Sequence, residues 1–172
     1  METWIALLRG INVGGKHIVP MKELKAMLEA NGFEDVQSYI QSGNLVFRST
    51  GDTGSLIGEL IEKKYGFRPS VFLLNREDFK KAVQANPYKS DVGKTIHFFF
   101  LEEDPERVDF ALLDSLKSET EQYALKERVF YLYAPDGIGR SKLVEKLGRA
   151  FPRVTMTARN LNTIEKLAAM IE

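Results

Sequence analysis

The chain of 172 residues contains no cysteine and only two histidines, His17 and His97. Without thiols it forms no disulfide, no thiolate metal site and no cysteine nucleophile. Two histidines are also too few for a histidine-rich zinc cluster. The composition therefore predicts no metal site, and nothing in the sequence names a cofactor.

Excess charge and long apolar runs are missing as well. Lys plus Arg and Asp plus Glu both number 24, so the net charge is zero. Proteins that bind nucleic acid need clustered positive charge, and this balance makes nucleic acid an unfavoured partner. No apolar run approaches the length of a membrane span, and the first predicted strand begins at Trp4, which leaves no room for a signal peptide. We expect a cytoplasmic protein with no membrane partner.

The first half of the chain predicts the element order β-α-β-β-α-β-α. Helical spacing of apolar residues predicts helices that begin near Pro20, near Asp52 and after Asn75. The Gly43-Asn44 dipeptide favours a hairpin turn. The predicted strands are 4–8, 36–41, 45–47 and 71–74. This is the order of a ferredoxin-like unit with one added helix.

The same order recurs after a polar, turn-rich segment, 86–93. The predicted strands are 95–101, 123–125, 129–133 and 154–156. Three helices are predicted: one that begins at Asp104-Pro105, one over 141–147 and one over 160–171. The predicted fold is α+β, a tandem duplication of a ferredoxin-like βαββαβ unit in which each half has an extra C-terminal helix. The predicted domains are 1–88 and 93–172.

Four polar loops suggest a functional surface: 9–16 (RGINVGGK), 41–44 (QSGN), 136–142 (DGIGRSK) and 157–163 (TARNLNT). Their basic residues lie beside glycine or asparagine and not on helix faces, and such loops turn backbone N–H groups toward anions. The candidate ligand-binding residues are Arg9, Asn12, Gly14, Gly15, Lys16, Ser42, Asn44, Arg140, Ser141, Lys142, Arg159 and Asn162.

A purely structural interpretation of these loops is also open. Glycines at strand–helix junctions are commonly turn residues, and Asn160 is of a type that caps helices. His97 lies within a strand and is predicted to be a core or sheet-face residue and not a catalytic base. His17 is the only histidine placed for acid–base chemistry, although its position is also typical of a solvated loop residue.

The chain contains no complete nucleotide-binding motif. Segment 134–141 lies between a strand and a helix, as a Walker A loop does, but Arg140 replaces the lysine and no Walker B strand is present. Segment 9–15 lacks the spacing of a dinucleotide fingerprint. The milder prediction is that the helix beginning near Ser141 holds a phosphate or carboxylate, with Arg140 or Lys142 beside it.

Five motifs, in order along the chain, resemble the bacterial family called domain of unknown function 1697. They are LLRGINVGGK (7–16), VPMKEL (19–24), YIQSGN (39–44), DGIGRSKL (136–143) and TARNLNT (157–163). The resemblance implies a cytosolic bacterial protein built from two similar α+β halves, and it brings no established activity. The family typically has tryptophan where this chain has Leu161.

Three functional hypotheses follow. The first is a protein, either a binder or an enzyme, that acts on an anionic or phosphorylated small molecule; it predicts that the polar loops meet in one pocket. The second is a non-catalytic scaffold or interaction protein, whose glycines serve turns. The third and least favoured is an RNA-binding module, suggested by Phe47 in the segment 42–49. The sequence does not determine the oligomeric state.

Overall fold

The computed structural model describes residues 1–172, which divide into two compact units. The first unit comprises Met1–Val83 with Lys166–Glu172, and the second comprises Gln84–Glu165. Each half of the chain forms one four-stranded sheet, in which every neighbouring pair of strands is antiparallel. The division into folding domains 1–88 and 93–172 stays a prediction.

The first sheet has the strand order β2-β3-β1-β4. The elements are β1 (Glu2–Arg9), α1 (Met21–Ala30), β2 (Glu34–Tyr39), β3 (Asn44–Ser49), α2 (Gly54–Tyr65), β4 (Ser70–Asn75) and α3 (Arg76–Gln84). The first strand lies between the third and the fourth, which is the order of a ferredoxin-like unit. Asn75 caps α3, since its Oδ1 accepts from the backbone N–H of Asp78 over 2.8 Å.

The core of the first unit lies between one face of this sheet and helices α1 and α2. Leu24 and Leu28, one turn apart, bring one side of α1 to this core, and Ile57 and Ile61 do the same for α2. Phe47 of β3 packs among them and is fully buried. The predicted helical spacing therefore identified the buried faces of both helices.

The second sheet repeats the arrangement with the order β6-β7-β5-β8. The elements are β5 (Ile96–Leu101), α4 (Phe110–Leu116), β6 (Gln122–Lys126), β7 (Val129–Tyr133), α5 (Lys142–Glu145), α6 (Leu147–Ala150), β8 (Met156–Asn160) and α7 (Leu161–Met170). The same strand order in both halves, each followed by a further helix (α3 and α7), confirms the predicted α+β tandem duplication. No helix combines the length and apolar character needed to cross a membrane.

The second core is rich in aromatic rings. Phe99 and Phe130 lie on neighbouring strands and meet edge to face, with ring centroids 5.9 Å apart. Phe151, which follows α6, meets Phe130 at 5.6 Å. Leu113 of α4 and Leu143 of α5 complete this cluster. Alternation along the strands places these rings on the face that the helices cover.

Helix α4 begins later than the Asp104-Pro105 pair predicts. Its first residue is Phe110, and Asp109 is the cap, because its Oδ1 accepts from the N–H of Leu112 over 3.0 Å. The N–H of Asp109 donates to the carbonyl oxygen of Ala150 over 2.9 Å. This long-range hydrogen bond fixes where the helix starts, so the local capping signal at Asp104 was misleading.

Two further predictions in the second half were wrong. The helix predicted over 141–147 is divided into α5 and α6, since Lys146 between them has φ −108° and ψ 12°. The segment 157–163 is not a loop: its first four residues belong to β8, in which Arg159 pairs with Phe98 of β5. Pairing with a strand some 60 positions earlier in the chain extends β8 beyond the predicted 154–156.

Candidate functional site

The loop after β1 ends in a short hairpin. Val13 and Lys16 form an isolated bridge, and the N–H of Lys16 donates to the carbonyl oxygen of Val13 over 3.0 Å. Gly14 and Gly15 at the tip have φ of 59° and 72°. Positive φ at both central residues is what a type I′ turn requires, and glycine adopts it without strain. Turn geometry thus accounts for both glycines.

Asn12 holds the base of this hairpin. Its Nδ2 donates to the carbonyl oxygens of Val19 over 3.0 Å and of Gln41 over 2.7 Å. Its Oδ1 accepts from the N–H of Val19 over 2.8 Å. The amide side chain therefore makes two hydrogen bonds within the connection between β1 and α1 and one to the turn between β2 and β3.

Gly43 allows the two loops to approach closely. It has φ of 90°, and its carbonyl oxygen accepts from the N–H of Leu8 over 2.8 Å. A Cβ at this position would lie 2.7 Å from the Cβ of Leu8 and 3.0 Å from the Cδ1 of Ile11. Next to it, the buried Asn44 donates from Nδ2 to the carbonyl oxygen of Tyr39 over 3.0 Å.

The structure thus brings together the predicted site residues of the first unit, and we call residues 9–17 and 41–44 the first-unit loop surface. The ring of His17 stacks on Phe67 with centroids 4.2 Å apart, and its Nδ1 lies 3.2 Å from the carbonyl oxygen of Gly10. Arg9 directly precedes Gly10, and Lys16 directly precedes His17. Both of these cationic side chains are exposed. Neither forms an ion pair within 4.0 Å, in contrast to five other cations of the chain.

Ser141 in the second unit has a structural role. Its Oγ accepts from the N–H of Val144 over 3.2 Å and donates to Oε2 of Glu121 over 2.6 Å. The other carboxylate oxygen of the buried Glu121 accepts from the N–H of Ser118 over 2.9 Å. Helix α5, which Ser141 caps, has only 4 residues, so little dipole develops at its end.

The remaining candidates of the second unit differ in accessibility. Arg140 and Lys142 are exposed and form no ion pair within 4.0 Å. Arg159 is 8% exposed, and its Nη1 donates to Oγ1 of Thr157 and to the carbonyl oxygen of Ala158, both over 2.8 Å. Burial lowers the pKa of Arg159 to about 10.

Asn162 lies in the first turn of α7 and contacts the backbone of the second unit. A Cβ at Gly93 would collide with the Oδ1 of Asn162 and lie 3.3 Å from its backbone nitrogen. The amide is therefore packed against the 3-10 turn before β5. The predicted site residues fall into one set in each unit, and a single pocket formed by both sets stays a prediction.

The two histidines differ in environment. His97 is 7% exposed in β5, which confirms that it is a core residue. Its Nε2 has no hydrogen-bond partner, and burial lowers its pKa, opposed by a hydrogen bond with the backbone of Lys94. His17, by contrast, is an exposed residue of the loop. No group of three or more His, Asp or Glu side chains is arranged to hold a metal ion.

Comparison with known proteins identifies the family. A family model described as a protein of unknown function, DUF1697, matches residues 1–131. The chain belongs to the DUF1697 family. It is also similar to a solved structure, that of conserved bacterial protein SP0830 from Streptococcus pneumoniae. The two share 30% identity over 99% of each chain, with a TM-score of 0.69. No curated protein matches the chain.

Proposed function

We propose that this DUF1697 protein binds a small anionic ligand, of the phosphate or carboxylate class, at the first-unit loop surface. The proposal rests on the exposure of Arg9 and Lys16 and on their lack of an ion-pair partner. Both are exposed, and neither has a carboxylate oxygen within 4.0 Å. Arginine and lysine side chains bind such anions through charge-assisted hydrogen bonds.

The rigidity of the loop supports the same proposal. Asn12 ties it to Val19 and Gln41 by three hydrogen bonds, and His17 stacks on Phe67. A ligand that meets a loop already held in one conformation loses less free energy to ordering. The backbone beside Arg9 and Lys16 is therefore positioned before any ligand arrives.

The glycines do not contribute to this proposal. Gly14 and Gly15 are explained by the turn and Gly43 by its contact with Leu8. That accords with the scaffold hypothesis, which is the alternative function. Binding in our proposal rests on the two cationic side chains and not on a cradle of backbone N–H groups.

The RNA-binding alternative gains no support from the aromatic residues. Phe47 is fully buried and meets Phe33 edge to face at 4.9 Å. On the central strand of the second sheet, Phe98 is also fully buried and meets Tyr131 at 4.8 Å. Base stacking requires exposed rings on a sheet face, and these four rings are buried.

The test is a thermal-shift screen followed by calorimetric titration of the full chain. The probes are inorganic phosphate, pyrophosphate and nucleoside mono- and diphosphates. At least one probe should raise the melting temperature, and Arg9→Gln or Lys16→Gln should weaken its binding by about tenfold. The same titration of Arg140→Gln measures whether loop 136–142 of the second unit contributes to binding.

Lys80→Gln is the matched control, since Lys80 is an exposed cation of helix α3 that also forms no ion pair within 4.0 Å. This variant should bind the probe as the original protein does. If no probe stabilises the protein, or if Arg9→Gln and Lys16→Gln bind with unchanged affinity, the proposal fails and the scaffold hypothesis takes its place.

A further inference from the structure

A groove of about 410 Å³ in the second unit contains none of the residues predicted from the sequence. It is lined by Tyr88, Asp114, Lys117, Gln122 and Tyr123. Asp114 lies in α4 and Lys117 is the residue that follows this helix. Gln122 and Tyr123 begin β6, which is an edge strand of the second sheet. The groove thus combines two phenol rings, an amide and two opposite charges.

The two charges are held apart by separate hydrogen bonds. Residues three positions apart at a helix surface commonly form an ion pair, but Asp114 and Lys117 are not within 4.0 Å of each other. The hydroxyl of Tyr123 donates to Oδ1 of Asp114 over 2.6 Å. The Nζ of Lys117 donates to the carbonyl oxygen of Glu121 over 3.1 Å. Each charge therefore faces the groove without being neutralised by the other.

Two tyrosine rings form the aromatic walls of the groove. Burial raises the pKa of Tyr88. Burial, with a smaller effect from Asp114, raises the pKa of Tyr123 to about 12. The ring of Tyr123 is stacked on Phe130, with centroids 5.3 Å apart and planes 20° apart. Both tyrosines therefore stay neutral near pH 7 and offer apolar surface beside the charged groups.

We propose that this groove binds a free α-amino acid. The ligand's ammonium group pairs with the carboxylate of Asp114, and its carboxylate pairs with the ammonium group of Lys117. Its side chain lies against the rings of Tyr88 and Tyr123. A ligand with only a negative charge would be repelled by Asp114, and one with only a positive charge by Lys117, so the pair selects a zwitterion. The proposal does not depend on the anion site of the first unit.

Calorimetric titration of the full chain with three related probes tests the requirement for both charges. Phenylalanine should bind, and its methyl ester and N-acetyl derivative should each bind at least about tenfold more weakly, since each lacks one charged group. Glycine and alanine show how much the side chain contributes. Failure of phenylalanine, glycine and alanine to bind at millimolar concentration would overturn the proposal, as would equal affinity for phenylalanine and both derivatives.

Variants locate the binding in the groove. Asp114→Asn and Lys117→Met should each reduce phenylalanine affinity by about tenfold or more. Tyr123→Phe keeps the ring but removes the hydrogen bond to Asp114, and a smaller loss is expected. Glu106→Gln and Lys94→Met change exposed charges of the same unit that form no ion pair within 4.0 Å, and both should bind normally.

Arg9→Gln separates the two proposals, because it should impair binding of the anionic probe and leave phenylalanine binding intact. Asp114→Asn should show the opposite pattern. If phenylalanine binds the Asp114→Asn and Lys117→Met variants as tightly as the original chain, the groove is not the binding site and the inference is wrong.

Discussion

The side-chain amide of Asn12 donates to the carbonyl oxygen of Gln41 over 2.7 Å, across 29 positions of the sequence. This contact joins the loop after β1 to the turn between β2 and β3, and the paired hydrogen bonds to Val19 hold the two ends of the loop itself together. One asparagine thus determines the conformation on which the proposed anion site depends, without itself being available to a ligand.

Removal of this amide should weaken the fold measurably. Asn12→Gly removes three hydrogen bonds without adding strain at a φ of 54°. The backbone groups of Val19 and Gln41 lose their partner, so the free energy of unfolding should fall by about 1–3 kcal/mol in urea titrations. Asn31→Gly is the control, because its side chain makes one hydrogen bond, to Met27, at an exposed helix end. Equal losses in the two variants would contradict the role given to Asn12.

Alanine substitutions at two glycines with the same φ distinguish the cost of backbone strain from the cost of a steric clash. Gly32 and Gly43 both have φ of 90°, but a Cβ at Gly32 meets nothing within 4 Å, whereas one at Gly43 would lie 2.7 Å from the Cβ of Leu8. Gly32→Ala should cost about 1–2 kcal/mol from the left-handed backbone alone. Gly43→Ala should cost about 1–3 kcal/mol more, because the core beside it must shift. Denaturant unfolding of both variants measures this difference, and similar costs would refute the packing argument.

Ser141 and Glu121 should be energetically coupled. The buried carboxylate of Glu121 accepts from the Ser141 hydroxyl over 2.6 Å. Ser141→Ala removes this hydrogen bond and the cap of α5, and we expect a loss of about 1–3 kcal/mol in the free energy of unfolding. A double-mutant cycle with Glu121→Gln should show non-additive losses. Ser115→Ala, which removes an exposed hydrogen bond to Leu112, is the control; additive losses in the cycle would show that the contact is energetically neutral.

The buried His97 predicts a loss of stability in mild acid. Burial lowers its pKa in the folded chain from the ordinary value of 6.5. Between that lowered pKa and 6.5 the unfolded chain binds more protons, so the free energy of unfolding rises with pH in this window and falls as pH drops through it. Full stability is present above 6.5. Below the folded pKa both states are protonated and this contribution no longer changes.

Replacement of the imidazole tests this dependence. His97→Phe has no group that titrates at this position, whereas the carboxylates elsewhere in the chain are unchanged. Unfolding measured at pH 7 and pH 5 should show a larger loss for the original chain than for His97→Phe. Parallel losses would mean that His97 does not contribute to acid sensitivity.

Much of the fold was predictable because its signals are local. Leu24 and Leu28, one turn apart, marked the buried face of α1, and Asn75 marked the start of α3. The start of α4 and the end of β8 were not predictable in this way. The N–H of Asp109 bonds to Ala150, and Arg159 pairs with Phe98, so both boundaries depend on contacts between distant parts of the chain.

Some residues of the candidate sites were likewise predictable from local sequence, and others were not. The cations Arg9 and Lys16 were visible as basic residues beside glycines in a loop. Glu121 was missed, because its partner Ser141 lies 20 positions away and a single buried carboxylate has no sequence pattern. The groove was missed as well, since Asp114, Lys117 and Tyr123 come from two elements that only the folded chain brings together.

The sequence by itself determined the order of the strands, and with it the duplication, and the absence of thiol chemistry, because these follow from residue type or from spacing within a few positions. Only the tertiary structure decided which polar residues form hydrogen bonds within the fold and which remain exposed without an ion pair. Asn12, Asn44 and Ser141 are polar residues in loops, as binding-site residues commonly are. In the folded chain, however, their side chains form hydrogen bonds with other parts of the protein. The partner of a polar group is set by chain packing, and local sequence does not encode that choice.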